Sequence, residues 1–163
     1  MKHLESLFEE VYQSNYQKVY RLCLGYATGD GMLASDLCQE VFIRVWKHLA
    51  SFRNESAMST WIYRITVNTC LVYFRKKRTL PLSQLNEPIE DEIEENLYHT
   101  KEENLNSLYA CIEQLSKGNK CIILLELEGV PQKDIAAIMG INHEAIRVRI
   151  HRIKIELTKC AQK

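Results

Sequence analysis

Residues 130–157 carry the sequence VPQKDIAAIMGINHEAIRVRIHRIKIEL, which predicts two helices joined by a tight turn. Pro131 suits the start of the first helix, and Gly140 allows the turn that ends it. Ala136 and Ile146 stand where the two helices would cross closely. This spacing predicts a helix-turn-helix, in which the second helix enters the major groove of DNA.

The second helix of this motif is predicted at residues 143 to about 157 and is rich in basic side chains. A plain helical hairpin with a solvated basic face is the alternative to DNA binding. The glycine turn, the small residue and the arginine-rich helix occur together, and this combination favours DNA binding. Groups able to reach base edges and phosphates occur at Arg147, Arg149, His151, Arg152 and Lys154.

Apolar residues at three-to-four spacing predict further helices in the rest of the chain. They cover about residues 4–27, 32–49 and 59–77, and two more begin near residues 105 and 120. With only three prolines and six glycines in 163 residues, the composition is typical of an all-α protein. No apolar run approaches the ~20 residues of a membrane span, and the N-terminus lacks the apolar segment of a secretory signal. We therefore expect a cytoplasmic protein without membrane insertion.

The formal net charge is zero, but the charges form three blocks. Residues 1–78 hold 11 Lys/Arg and 7 Asp/Glu (+4), residues 79–105 hold 1 and 8 (−7), and residues 106–163 hold 9 and 6 (+3). The middle block has two prolines and little apolar periodicity, so we predict a flexible acidic linker between two small helical domains. Because the total is neutral, non-specific affinity for nucleic acid should be weak.

The cysteines are scattered singly, with no C-x-x-C pair and no His/Cys cluster at zinc spacing. We therefore predict buried free thiols, and no metal or other cofactor. The six positions are Cys23, Cys38, Cys70, Cys111, Cys121 and Cys160.

Trp61, Arg64, Asn68 and Arg75 are spaced to share one face of the third predicted helix. Such a face suits unstacked DNA, because aromatic rings stack on bases and arginines bind phosphates. Asn68 offers a donor and an acceptor to one base edge. The alternative for Trp61 is packing in the core or in an interface, and the residues alone leave that choice open.

Four motifs, in this order, resemble those of the extracytoplasmic-function (ECF) sigma factors, the smallest members of the primary-sigma family. The resemblance spans about residues 5–160. The motifs are Asp36-Leu-x-Gln39-Glu40-x-Phe42 followed by Trp46, then Phe52-Arg53, then Thr60-Trp61-Ile62-Tyr63-Arg64-Ile65-x-x-Asn68, and then the helix-turn-helix.

The resemblance implies that residues 1–78 form sigma region 2, residues 79–105 the linker, and residues 106–163 sigma region 4. Region 2 would bind core RNA polymerase, whose β′ and β subunits are the expected partners, through Asp36, Gln39, Glu40 and Arg44. It would also capture a flipped base of the −10 promoter element, with contacts from Phe52, Arg53, Trp61, Arg64, Asn68 and Arg75. Region 4 would contact the −35 element through Arg147, Val148, Arg149, His151 and Arg152.

One of these positions departs from the family pattern. Val148 stands where many relatives have a small polar residue, so we expect an apolar contact there, such as with a thymine methyl group. The −35 sequence therefore cannot be carried over from relatives.

The function implied by the resemblance is an alternative sigma factor that directs promoter recognition, DNA melting and transcription initiation, and that is not itself an enzyme. The linker resembles the segment that threads into the RNA channel of polymerase, and an anti-sigma factor commonly restrains such proteins. Two other functions remain open from the residues. They are a conventional helix-turn-helix regulator that acts without polymerase, and a polymerase-binding protein with no promoter selectivity.

Overall fold

The computed structural model describes the backbone of residues 1–79 and 100–163 and the side chains of residues 1–77 and 103–163. Every regular element in these ranges is an α-helix, which confirms the predicted all-α class. The helices are α1 (Lys2–Tyr26), α2 (Gly31–Leu49), α3 (Met58–Thr79), α4 (Thr100–Glu113), α5 (Lys117–Leu127), α6 (Gln132–Met139) and α7 (His143–Ala161).

The first three helices pack on one another in the N-terminal half. A turn at Thr28 and Gly29, both with positive φ, separates α1 from α2. Asp30 then caps α2 by accepting hydrogen bonds from the backbone N–H groups of Met32 and Leu33, both at 3.1 Å. The turn and the cap set the angle between α1 and α2, and α3 packs against both.

The predicted helix-turn-helix is confirmed as α6 and α7. Gly140 ends α6 in the left-handed conformation, with φ of 65°, and the N–H of Ile141 donates to the Ala136 carbonyl at 3.0 Å. Asn142 caps α7 by accepting from the N–H of Glu144 at 2.8 Å. Ile146 is fully buried where the helices meet, so the turn and the crossing hold α7 with one face outward.

The helix ends differ from the predicted ones mainly beside the acidic segment. Helix α3 continues to Thr79, two residues past the predicted end, and α4 begins at Thr100, inside the predicted linker. The rest of that linker, residues 80–99, lies outside the described residues. A weak apolar period at the start of α4 explains the late predicted start, because charged first turns are hard to distinguish from linker sequence.

The prediction of free thiols is correct for four cysteines and wrong for two. Cys111 of α4 and Cys160 of α7 form a disulfide across 49 residues of sequence. The four free thiols are buried, and burial raises the pKa of Cys38 to about 12, so that thiol stays protonated. Two cysteines 49 residues apart can pair only because α4 packs against α7. The spacing of cysteines along the sequence does not reveal which helices pack together.

The two halves share one continuous buried cluster rather than two separate cores. Helix α6 lies against α3, and α5 lies against α1. In residues 1–79 and 100–163, no helix combines the length and the apolar character that a membrane span requires.

Candidate functional site

Four of the residues predicted to bind the −10 element line one cavity of about 670 Å³, here called the stacking cavity. The rings of Phe52 and Trp61 lie 4.9 Å apart in it, and Arg53 and Arg64 also line the wall. Trp61 packs against the ring of Phe52. It is only half-buried, so part of its side chain remains accessible at the surface. An aromatic pair flanked by two guanidinium groups can hold an unstacked base and its phosphates.

Asn68 and Arg75 lie outside the stacking cavity. Both are exposed on α3 and line a neighbouring cavity of about 380 Å³, here called the α3–α5 cavity. Leu71 and Val72 complete its α3 side, and residues of α5 and α6 form the other side. The structure therefore divides the predicted −10 residues between two adjacent cavities on one helix.

On α7, four of the five predicted −35 residues share the outward face. Arg147, Val148, His151 and Arg152 are all exposed, since positions i, i+1, i+4 and i+5 fall on one side of a helix. Val148 is 49% exposed. An exposed aliphatic side chain between two arginines and a histidine suits a groove that offers both phosphates and methyl groups.

Arg149 differs from these four residues. Its guanidinium donates to the Asn119 side-chain oxygen through Nη2 at 2.8 Å and Nε at 3.2 Å. This contact is half-buried and joins α7 to α5. In this arrangement Arg149 fixes α7 against α5, and no local sequence pattern indicates Asn119 as its partner.

The residues predicted to bind polymerase lie on the exposed side of α2, here called the α2 outer face. Asp36, Gln39 and Glu40 are exposed, and Arg44 is half-buried. Arg44 Nε donates to Glu40 Oε1 at 2.9 Å, as expected for a pair four residues apart. The α2 outer face is therefore polar. The Glu40–Arg44 ion pair holds its two charged side chains in place while both remain accessible to solvent.

Beside the α2 outer face runs an aromatic groove of about 450 Å³ between α1 and α2. Trp46 packs on Phe8 with ring centroids 5.2 Å apart, and Tyr12 packs on Phe42 at 4.7 Å. Gln39 also lines the groove, so the polar face and the groove form one continuous surface. Phe8 and Tyr12 stand four residues apart in the sequence, a spacing that indicates an aromatic stripe on one side of α1.

Among the side chains of residues 1–77 and 103–163, no group of three or more His, Cys, Asp or Glu residues is placed to hold a metal ion.

Each half of the chain matches the model of a known protein family. Residues 11–79 match the model of sigma-70 region 2, and residues 105–157 match that of sigma-70 region 4. The chain therefore belongs to the sigma-70 family of transcription initiation factors. Within it, the curated relatives identify the chain as an ECF sigma factor, an alternative sigma factor that directs transcription initiation with RNA polymerase.

Three relatives show how far the similarity extends. The chain is 37% identical over 131 residues to the ECF RNA polymerase sigma-E factor of Escherichia coli K12, covering 73% of this chain and 69% of that protein. It is 28% identical over 166 residues to RNA polymerase sigma factor YlaC of Bacillus subtilis, covering 98% and 94%. It is 29% identical to the ECF sigma factor SigE of Mycolicibacterium smegmatis, of whose length it spans 60%.

Two solved structures share the fold. The sigma factor RpoE of Bartonella quintana, crystallised with the anti-sigma factor NepR, matches with a TM-score of 0.75 at 21% identity, over 95% of this chain and 96% of that one. CnrH, in complex with the cytosolic domain of CnrY, matches with a TM-score of 0.70 at 17% identity, over 95% and 87%. Both are two-domain helical proteins, as predicted for this chain.

Proposed function

We propose that the stacking cavity captures a base of the −10 element once that base has left the duplex. The observation that carries this proposal is the convergence of Phe52, Arg53, Trp61 and Arg64 on a single cavity. Stacking on the outer side of the Phe52–Trp61 pair contributes about 1–3 kcal/mol per base, which offsets the few kcal/mol lost on unpairing. The cavity thereby stabilises the melted form of the promoter.

Asn68 and Arg75 act next to this cavity. Asn68 lies one helical turn beyond Arg64 and is exposed, so its amide can pair with a base edge that is no longer in a duplex. Arg75 is one turn past Leu71 and can hold the phosphate of the same strand. The stacking cavity and the α3–α5 cavity then hold successive nucleotides of one strand along α3.

The outward face of α7 binds the −35 element in the major groove. Arg147, His151 and Arg152 supply donors for base edges and phosphates, and Val148 supplies the apolar contact. The guanidinium of Arg149 is already hydrogen-bonded to Asn119. We therefore propose that Arg149 positions α7 and does not contact phosphate.

Core RNA polymerase binds the α2 outer face together with the aromatic groove. Gln39 belongs to both, and the exposed part of Trp46, 41% of its surface, gives the interface an apolar centre with a polar rim. Polymerase supplies catalysis, so this protein is assigned no enzymatic step. A cytoplasmic location follows from that partner.

The acidic segment at residues 79–105 carries a net charge of −7, which allows it to occupy a channel built for nucleic acid. Residues 1–78 and 106–163 remain the proposed regions 2 and 4 on its two sides. An anti-sigma factor is a further proposed partner, because the solved relatives RpoE and CnrH are held by the proteins NepR and CnrY.

The purified protein alone is expected to bind promoter DNA weakly, because its formal net charge is zero. Adding core RNA polymerase should produce specific binding and open complexes, detected by footprinting with a probe for unpaired bases and by run-off transcription. Tight, sequence-specific binding by the isolated protein in a mobility-shift assay would favour the conventional regulator. Polymerase binding without selective transcription would favour a polymerase-binding protein of another kind.

Asn68→Ala is expected to lose about 1–3 kcal/mol of discrimination at one −10 position, the scale of a good base contact. Transcription from promoter libraries randomised in each element measures this loss. Arg152→Ala is the matched variant, because it removes an exposed contact from the other region and should change only the −35 profile. If Asn68→Ala leaves both profiles as in the wild type, Asn68 is a structural residue and the base is read elsewhere.

A further inference from the structure

We propose that the Cys111–Cys160 disulfide is a reversible redox site that controls how α7 is presented to the −35 element. The inference rests on the proposed function of α7. The oxidised site holds α7 against α4 as the structure shows, and the reduced site releases the end of that helix. Small thiols and their disulfides, such as the two forms of glutathione, interconvert the two states.

The loop that the disulfide closes contains the whole proposed DNA-binding unit. Residues 112–159 include α5, α6 and α7 up to its last two residues. The bond therefore joins α4, where the match to region 4 begins, to the far end of the helix that is proposed to contact DNA. A single covalent bond at this place acts on the position of α7 as a whole.

The two cysteines of the bond lie in different surroundings. Cys111 is 5% exposed, and its neighbour Ile112 is fully buried, so the α4 end of the bond is a fixed point in the core. Cys160 is half-buried and lies one residue before the end of α7. Cys160 is therefore the sulfur that a small thiol can reach, and its helix end is the part that can move.

The remaining contacts of α7 are sufficient to keep it folded when the bond is broken. In α7, whose side chains are all described, Cys160 is the only side chain after Leu157 that is not exposed. Reduction thus frees the last turn, while the rest of the inward face stays packed. That face consists of Ile146, Ile150, Ile153 and Leu157, all buried.

The bond acts on DNA contacts through the orientation of α7. Cys160 lies eight residues beyond Arg152, about 12 Å along the helix axis, too far for it to share a base contact. On the α5 side, α7 is held by Arg149 and by the ion pair of Lys154 with Glu126 at 3.0 Å. On the α4 side it is held by the disulfide. Loss of one of these two attachments lets α7 tilt, and base contacts depend on alignment.

Reduction proceeds by two exchange steps. A small thiolate attacks Cys160 Sγ and forms a mixed disulfide, while the electron pair of the broken S–S bond goes to Cys111 Sγ. A second thiolate attacks the small-molecule sulfur of the mixed disulfide, so Cys160 leaves as a thiolate and a small disulfide forms. The protons of the two small thiols end on the two cysteines. The same steps in reverse, with the small disulfide as oxidant, restore the bond.

The setting of the protein favours a switch over a permanent bond. Core polymerase, the proposed partner, works in a compartment where thiols are kept reduced, and disulfides there are usually transient and redox-sensing. The free thiols of the described residues are all buried, which keeps them away from small thiols. The redox response is therefore confined to Cys111 and Cys160.

The first measurement uses the full-length protein alone. Reduced glutathione, added without denaturant, should open the bond, so that alkylation in denaturant followed by mass spectrometry counts six thiols in place of four. Hydrogen–deuterium exchange should become faster in the last turns of α7 and stay unchanged in α1 to α3. Oxidised glutathione should reverse both changes.

The second measurement uses holoenzyme assembled from oxidised or reduced protein, with promoter libraries randomised in each element. Reduction is expected to lower the −35 preference about fivefold, as when about one molecule in five still holds α7 in place. The −10 profile should not change, whereas a general effect of the reductant on polymerase would alter both profiles.

Two variants serve as controls for the holoenzyme measurement. Cys111→Ser with Cys160→Ser should show the reduced −35 profile and should not respond to glutathione. Cys38→Ala removes a buried free thiol of α2 and should keep the full response of the wild type.

Three results would overturn the proposal. A bond that glutathione opens only in denaturant is a permanent structural disulfide. Equal −35 profiles for oxidised and reduced protein, with the thiol count changed, would show that the bond does not control α7. A −35 profile without preference in the oxidised protein, beside a selective −10 profile, would instead contradict the proposed function of α7 and remove this proposal with it.

Discussion

Replacing Gln39 by alanine together with Glu40 by lysine is expected to weaken binding of core RNA polymerase about 100-fold, a loss of about 2–3 kcal/mol. Both side chains are exposed on the α2 outer face, and Gln39 also lines the aromatic groove. The lysine would face Arg44, the present partner of Glu40. Like charges four residues apart cost only about 0.2–0.5 kcal/mol, so the fold should persist with an unchanged circular dichroism spectrum.

Competition with a labelled sigma factor for core polymerase measures this effect. Glu10→Lys with Gln17→Ala is the control pair, because it makes the same two chemical changes at exposed positions of α1. The control should compete as the wild type does. An unaltered affinity of the Gln39 and Glu40 variant would remove the assignment of the α2 outer face to polymerase.

Loss of the disulfide is expected to have the largest effect on stability. Cys111 and Cys160 close a loop of 49 residues, for which the chain-entropy model gives about 4 kcal/mol of stabilisation. Reduction, or replacement of both cysteines by alanine, should lower the free energy of unfolding by about 2–4 kcal/mol. Helix α7, which we propose binds the −35 element, would then be fixed to α4 by packing alone.

Urea unfolding followed by circular dichroism, with and without a thiol reductant, gives the loss directly. The doubly substituted protein is its own control, because the reductant should no longer change its unfolding midpoint. The remaining four cysteines are already reduced and cannot contribute to the shift. A wild-type midpoint that is insensitive to reductant would show that the two sulfurs are not joined in solution.

Much of the fold could be predicted from the sequence because it depends on local patterns. Apolar spacing marks the buried faces of helices, and Gly140 with Asn142 marks the turn and cap of the helix-turn-helix. The same local patterns also indicated which candidate site residues share a face of a helix. Arg147, His151 and Arg152 lie on one outward face simply because of helical geometry.

Other properties depend on which helices meet, and local patterns carry no information about that. The disulfide requires α4 to lie beside the end of α7. The hydrogen bonds from Arg149 to Asn119 require α5 to lie beside α7. The aromatic groove likewise needs α1 and α2 side by side. Each of these contacts joins residues far apart in sequence, so it exists only after the chain has folded.

The local sequence patterns were enough to predict the seven helices of residues 1–79 and 100–163, among them the helix-turn-helix, and to propose an α3 face suited to unstacked DNA. The fold, by contrast, brings α6 against α3 and pairs Arg21 of α1 with Glu128, which follows α5. The physical reason is that helix formation and surface chemistry arise within a few turns of chain. The contact between the N-terminal and C-terminal helices instead arises from the fit of Gly25 against Leu124 and from charges paired over about a hundred residues of sequence.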